Sequence, residues 1–474
     1  MVIAQISVPR LSMPIKKKIL ILGAGPCGLG AAWRLQERGF QDFLILEASD
    51  HAGGLASSFV DSKGFTWDTG GHVQFSHYED FDRVMDLVLP NQWLNHQRES
   101  WIWIFNRFIP YPFQNNLWRL PEEIQNECIL ALENLSNNWL SQPANFKDWI
   151  LQSFGEGIAR IFMLPYNFKV WAYPPEDMSY QWIGERVATI DLKRVKENIC
   201  QKKDDISWGP NSTFRFPLKG GTGAIWKSVA SFIQPAKIKL NTFVVAIDRD
   251  RSEVTLSTGE KIEYESLLST LPLTKLAEIS KFNLKGNLLS SDSNIVGIGI
   301  EGEIPEFLKT KCWMYFPESD VPFYRVTVFS NYSPHNVPDP KIHWSLMVEV
   351  SSSIKKPENI DTVIEDSIAG LKKIGFILPH EKIVSKWQYS ACPGYPTPSL
   401  NRDEIVDHAL NELSQSKIYS RGRFGAWKYE VSNQDHTFMQ GFEWADWYTK
   451  GIPEVTAFSS SEANAPGKRP LRPF

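Results

Sequence analysis

The chain has 474 residues, 42% hydrophobic and 22% charged. That is the composition of an ordinary globular protein, at a length that predicts two or three domains. Fifty basic and 54 acidic residues leave a formal charge of −4 without blocks of either sign, which argues against a nucleic-acid or membrane partner.

No apolar run reaches the ~20 residues that span a bilayer. Cys27, Cys128, Cys200, Cys312 and Cys392 lack metal or paired spacing, so reduced thiols, no metal site and a cytoplasmic setting are expected. Residues 1–16 carry no periodic pattern and read as a tail. From residue 17 to residue 50 the chain predicts a βαβ unit: an apolar strand, a glycine turn, an Ala-rich amphipathic helix and a second apolar strand.

Gly23, Gly25 and Gly28 have G-x-G-x-x-G spacing between that strand and helix, and Glu47 closes the second strand. The first glycine allows a tight turn, the second lets a pyrophosphate approach backbone N–H groups, and the third lets helix and strand pack closely. The helix N-terminus offers donors and a positive dipole end, and Glu47 can accept ribose hydroxyls. The motif alone does not separate FAD from NAD. Gly53-Gly54 and the run Asp68-Thr69-Gly70-Gly71-His72 favour FAD, because they can carry backbone close to a flat ring. His72 is a candidate acid, base or hydrogen-bond donor beside that ring, with a structural histidine as the alternative.

Apolar residues recur at helical spacing from about Leu117 to Asn198, which predicts an inserted helical domain. A second glycine run, Lys219 to Gly223, precedes a helical stretch and is either another close approach to a ligand or a simple helix start. Residues 237–270 predict a three-stranded meander followed by a returning strand, and residues 294–350 are strand-rich again. A short strand, another glycine turn and a last helix follow Ile418, and residues 459–474 read as a second tail.

Eighteen tryptophans and 14 tyrosines are many for this length, and several lie in Pro- and Gly-rich loops with amide neighbours: Tyr111 to Asn116, Tyr332 to Pro334 and Gly394 to Pro398. Such clusters suit a nucleobase or sugar. Arg325 in an aromatic strand and Arg423 in a Gly-Arg-Phe-Gly turn are candidates for a diphosphate, which guanidinium binds bidentately. An ion pair with a nearby carboxylate is the alternative for each.

The segments GGHVQFSHY, PYPFQNN, PYNFKVW, WGPNSTFRFP, GGTGAIW, FYRVTVFSNYSP, GYPTPSL and SRGRFGAWKYEVSNQDHTFMQGFE together resemble the UDP-galactopyranose mutases of the eukaryotic type, over nearly the whole chain. The resemblance implies an α/β fold: a discontinuous Rossmann-like FAD-binding domain (17–97, 206–290 and 401–458), an inserted helical substrate domain (115–205) and an antiparallel β-sheet domain (98–114 and 291–400). It also implies interconversion of UDP-galactopyranose and UDP-galactofuranose by attack of reduced flavin N5 on the anomeric carbon, without net redox change.

Carried over position by position, it places Gly70, Gly71, His72, Val244, Tyr429, Asn433 and Gln434 at the cofactor. Tyr111, Phe113, Gln114, Asn167 and Trp171 fall in the nucleotide part of the site, and Arg186, Asn211 and Trp313 near the sugar. Tyr315, Arg325, Tyr332, Tyr395, Arg423, Tyr429 and Asn433 surround the diphosphate and flavin edge. The catalytic set it implies is Gly71, His72, Arg186, Arg325 and Arg423, and Arg98 with Ser100 would recognise NADPH as reductant. A homo-oligomer is compatible with this reading. The sequence departs from the pattern at Gln74 and in the segments RESWIWIFNRF and KWQYSACPGY, which bear on sugar specificity. A mutase of another nucleotide sugar, an amine-oxidase-like flavin oxidase and a cofactor-less binding module remain the alternatives.

Overall fold

The computed structural model describes residues 15–135, 142–184, 187–206, 209 and 211–473. Strand Ile15–Leu22 lies inside a seven-stranded sheet, paired in parallel with Phe43–Leu46 on one side and Lys261–Ser269 on the other. Its residues Ile19 to Leu22 are at most 1% exposed, as expected of a parallel strand covered on both faces. Ile418–Ser420 adds to Lys261–Ser269 in parallel, Ile238–Lys239 adds to Phe43–Leu46, and Glu253–Leu256 and Val244–Asp248 extend the sheet antiparallel. The meander is therefore present, but its third strand and the returning strand are one continuous element.

Helix Pro26–Glu37 follows the first glycine turn and packs against Gln434–Lys450. The contact is backbone on backbone: a Cβ on Gly30 would sit 2.2 Å from the Phe438 carbonyl oxygen, and one on Gly441 would sit 1.9 Å from that of Cys27. Around them Leu29, Trp33, Phe81, Trp226 and Phe438 form one buried core.

A second seven-stranded sheet runs in the order Lys382–Pro396, Ser290–Glu301, His343–Ser352, Arg325–Val328, Trp313–Tyr315, Ser100–Ile104, Arg107–Pro110. Every pairing is antiparallel except that of Trp313–Tyr315 with Ser100–Ile104, so the expected antiparallel sheet carries one parallel junction. The hairpin Ser58–Val60/Thr66–Asp68 lies across this sheet, where Gly297 and Gly299 leave room for the rings of Trp67 and Phe65.

Helices Glu122–Glu133, Phe146–Ile158, Leu164–Trp171 and Leu192–Gln201 bury a separate core that includes Phe113, Ile150, Phe154 and Phe162. Asn145 and Asp191 cap two of these helices by accepting the backbone N–H of Asp148 (2.9 Å) and Arg194 (3.2 Å). Among the described residues no helix is long and apolar enough to cross a membrane.

The C-terminal segment is not a free tail. Arg472 Nε bonds Asp446 at 2.8 Å, its backbone N–H bonds Asp80 at 2.8 Å, and the Arg469 N–H bonds the His77 carbonyl at 2.7 Å. Asp446 is fully buried and also accepts from Arg34 and Arg38, each at 2.6 Å, so the segment docks through charge-assisted bonds and not through an apolar face.

Candidate active site

The two N-terminal glycine turns face each other. A Cβ on Gly28 would lie 2.0 Å from the Gly23 carbonyl oxygen, so this glycine lets the helix sit on its strand. Gly25 is different: its Cβ would find nothing closer than the Gly54 Cα at 3.8 Å, and the Gly53 N–H bonds the Ala24 carbonyl at 2.9 Å. The result is a slot walled by bare backbone at a helix N-terminus, the arrangement that suits a pyrophosphate. Glu47 is held beside it, Oε2 accepting the Ala24 N–H at 2.6 Å and Oε1 the Ser49 N–H at 2.8 Å. The Thr242 N–H bonds the Glu47 carbonyl at 2.8 Å, which brings the start of Val244–Asp248 alongside. These donors and lone pairs fit the ADP half of a dinucleotide.

The later glycine run, Lys219 to Gly223, resolves as a helix start. The Thr222 N–H bonds Asp68 Oδ1 at 3.1 Å and the Gly223 N–H bonds Ser58 Oγ at 2.7 Å. Burial pushes the Asp68 carboxyl up to about 7, against the hydrogen bonds it accepts from Ser58 and Thr222.

Residues Gly70 to His77 form a loop between the two sheets. A Cβ on Gly71 would lie 2.6 Å from Glu349 Oε1 and 2.7 Å from Arg325 Nη2, so only bare backbone passes there. Arg325 meets Glu349 with Nε at 2.6 Å and Nη2 at 2.7 Å, and the Tyr324 hydroxyl donates to the same carboxylate at 2.7 Å. The ion-pair alternative for Arg325 is thus realised. Arg423 is held by oxygens instead: Nη2 donates to the Gly394 carbonyl at 3.0 Å and Nη1 to Ser432 Oγ at 2.8 Å, with its guanidinium 4.8 Å over the Tyr395 ring.

Burial lowers His72 to about 4, with Glu349 opposing and Arg423 and Arg325 adding to the shift, so its imidazole is neutral at pH 7. Its Nδ1 has no hydrogen-bond partner among the described residues. At the far end of the loop, Asp435 Oδ2 accepts the His77 N–H at 3.1 Å and lies 2.7 Å from His77 Nδ1. That ties the loop to the start of Gln434–Lys450, next to Asn433 and Gln434, where Gln434 Oε1 accepts from Trp226 Nε1 at 2.6 Å.

Aromatic rings from all three parts of the chain meet on the same side. Tyr315 touches Tyr111 (5.7 Å between centroids) and Tyr166 (5.2 Å), while Trp171 touches Tyr429 (4.7 Å) and Tyr395 (5.9 Å). Burial raises the phenols of Tyr111, Tyr166, Tyr315 and Tyr395, so all four stay protonated and able to donate. Phe113, Trp313 and Tyr332 stand behind, almost fully buried, Phe113 stacked on Phe162 at 4.6 Å. Gln114 and Asn167 are buried, with side-chain nitrogens on the carbonyls of Ala188 (2.6 Å) and Met163 (2.7 Å). Arg98 lies over the Tyr111 ring at 5.2 Å and donates to Asn211 Oδ1 at 2.5 Å, and the Ser100 carbonyl accepts the Tyr111 N–H at 3.1 Å. Arg186 lies outside the described residues.

Two side chains here were not singled out in the sequence. Glu349 is the acid in the otherwise apolar strand HWSLMVEV, in register opposite Arg325, and a charge in a buried strand is the signal that could have found it. Tyr166 adjoins Asn167 within PYNFKVW.

The family description "Flavin containing amine oxidoreductase" matches residues 26–304. A crystal structure of reduced UDP-galactopyranose mutase is 47% identical and superposes with a TM-score of 0.93, covering 96% of this chain and 98% of that one. The chain belongs to the UDP-galactopyranose mutase family. Mutase membership agrees with the blocks of sequence that first suggested it, and with the flavin family match it supports FAD as the cofactor. More distant structures share the fold alone with this mutase-family chain. A putative protoporphyrinogen oxidase from Exiguobacterium sp. has TM-score 0.70 at 16% identity, covering 91% of this chain and 98% of that one. A fatty acid isomerase from P. acnes has TM-score 0.63 at 14% identity, covering 91% and 99%. Polyamine oxidase 1 of Zea mays is 48% identical over 44 residues, a match that spans 9% of either protein's length.

Proposed function

We propose that the protein interconverts UDP-galactopyranose and UDP-galactofuranose, using FAD in its reduced state without net redox change. The observation that carries this reading is the 47% identity to UDP-galactopyranose mutase over 96% of the chain. The aromatic cage of Tyr111, Tyr166, Trp171, Tyr315, Tyr395 and Tyr429 supports it, because with it stand two arginines, a neutral histidine and several protonated phenols beside a bare-backbone loop.

In this reading Gly23, Gly25, Gly28, Gly53, Gly54, Glu47 and Val244 hold the ADP part of FAD, and Gly70, Gly71, His72, Asn433 and Gln434 face its ring. Reduced FAD, when bound, would supply a nucleophilic nitrogen able to hold the sugar's anomeric carbon in place of UDP, so that this carbon can exchange its bond to O5 for one to O4 before UDP returns. The chain supplies position and charge. Arg423, held over the Tyr395 ring and by the Gly394 carbonyl and Ser432 hydroxyl, offers its guanidinium to the departing diphosphate. Arg325 is aimed by Glu349, and Tyr315, Tyr332, Tyr395 and Tyr429 donate or pack around the same group. Tyr111, Phe113, Gln114, Asn167 and Trp171 hold the uridine, and Asn211, Trp313 and Arg186 orient the sugar. Neutral His72 gives and takes a hydrogen bond without adding a positive charge. Arg98 and Ser100 would recognise NADPH as reductant, next to the sugar through the Arg98–Asn211 bond.

The flavin oxidase reading draws on the amine oxidoreductase family match. Incubating anaerobic dithionite-reduced protein with a panel of UDP-sugars and separating the products, and in parallel following oxygen uptake by dithionite-free oxidised protein with the same sugars, distinguishes the two. A mutase gives an isomer and consumes no oxygen in proportion to product. Stoichiometric oxygen consumption with an oxidised product would reject the mutase.

A further inference from the structure

The helix Leu164–Trp171 carries Tyr166, Asn167 and Trp171, and its single basic residue, Lys169, points away from them. Lys169 is 6% exposed, and its Nζ donates to the carbonyls of Glu318 (2.8 Å) and Val321 (2.9 Å). Those carbonyls lie in the connection between Trp313–Tyr315 and Arg325–Val328, the two strands that present Trp313, Tyr315 and Arg325. At the helix's end, Ser351 Oγ donates to the Lys169 carbonyl and Ser353 Oγ to that of Ala172 at 2.5 Å.

A buried ammonium bonded to neutral carbonyls is an expensive way to fill space, since an apolar side chain of the same length would avoid the desolvation cost. What the ammonium adds is direction: fixed donors that lock a helix to a hairpin. We propose that Lys169 is a positioning residue, a latch that holds the helix bearing Asn167 and Trp171 in register with the hairpin bearing Tyr315 and Arg325 and so sets the affinity for the nucleotide diphosphate. The inference rests on the proposed mutase site.

Other charges face the latch. Asp320, Glu318 and Glu358 attract the ammonium and Lys356 repels it. Asp320 is itself paired with Lys373 at 3.0 Å, Lys356 with Glu358, and Glu318 accepts the Phe105 N–H at 3.4 Å. Burial is the largest influence and lowers Lys169 to about 7. Above that pH the amine keeps fewer and weaker donors, and helix and hairpin loosen. Global stability moves the other way. The unfolded lysine titrates at 10.5, so between about 7 and 10.5 the folded state binds fewer protons and gains stability as pH rises. A residue that merely filled space would move affinity and stability together.

The test uses the oxidised, flavin-loaded protein, which does not turn over in this reading, with UDP-galactose as probe. Its diphosphate is a diester with no proton that titrates between about pH 6 and 9. Wild type should bind roughly fivefold more weakly at about pH 8.5 than at about pH 6, the step from a charged to a neutral hydrogen-bond donor. Over the same interval its unfolding temperature should rise relative to Lys169→Met. Lys169→Met should bind weakly at both pH values, and Lys169→Arg, which does not titrate, should restore affinity without the pH dependence. A flat wild-type profile, or Lys169→Met binding like wild type or retaining the slope, overturns the latch. Absence of binding by wild type at any pH overturns the mutase site itself, and the latch with it.

Discussion

Gly25 and Gly28 stand three residues apart and should fail in different ways when substituted. A side chain at Gly28 meets the Gly23 carbonyl at 2.0 Å, so Gly28→Ala forces the helix off its strand, an overpacking cost of about 1–3 kcal/mol that should lower the unfolding temperature as well as flavin content. At Gly25 a Cβ meets nothing closer than 3.8 Å, so Gly25→Val projects its methyl groups toward the slot without the backbone clash of Gly28. It should fold with near wild-type circular dichroism and lose its flavin absorbance, and full flavin occupancy would show that the slot does not hold the pyrophosphate. The arginines differ likewise. Arg423→Ala should weaken UDP binding by about 1.5–3 kcal/mol, roughly 10- to 100-fold in Kd, measured by calorimetry. Arg325 is not a clean probe, because its removal strands the buried Glu349. Both arginines were nominated as diphosphate ligands from the sequence on chemistry alone, with an ion pair as the alternative that Arg325 realises. The carboxylate that aims one of them was not, since strand register decides which acid stands opposite.

At the scale of elements, the glycine turn, the helical insertion and the final strand, turn and helix follow from periodicity and turn chemistry. The docked C-terminal segment does not, because it has no apolar period and is held by single charge-assisted bonds to buried carboxylates such as Asp80 and Asp446, which no periodicity announces. Truncation after Pro466 removes the Arg472 contacts and should cost about 2 kcal/mol by denaturant titration. An unchanged midpoint would mean that the segment merely rests there. The helix Gly223–Ser231 starts on the buried carboxyl of Asp68, which titrates at about 7 when folded and 3.8 when unfolded. A raised acid contributes stability below its unfolded value and loses it as pH rises through the folded one. Wild type should therefore lose stability relative to Asp68→Asn between about pH 4 and 7 and run parallel to it above. Parallel curves throughout would show that the carboxyl is not perturbed.

In the whole molecule the cage exists only where the parts meet: Tyr315 comes from the second sheet and Tyr111 from the loop just after its edge strand, Tyr166 and Trp171 from the helices, and Arg423, Tyr429 and Asn433 from the segment between Ile418–Ser420 and Gln434–Lys450. None of these contacts is local in sequence, so residue patterns could nominate its members but not assemble them. The 47%-identical mutase structure bears out the family those members suggested. In this reading isomerisation needs the reduced cofactor as a participant and not as an electron donor. Anaerobic flavin-loaded protein, before and after reduction by dithionite, is given UDP-galactopyranose, and UDP-galactofuranose is quantified by chromatography. Reduced protein should form the furanose over many turnovers from a single reduction, and oxidised protein should form none. Turnover by the fully oxidised protein, or one equivalent of reductant consumed per furanose formed, would contradict it.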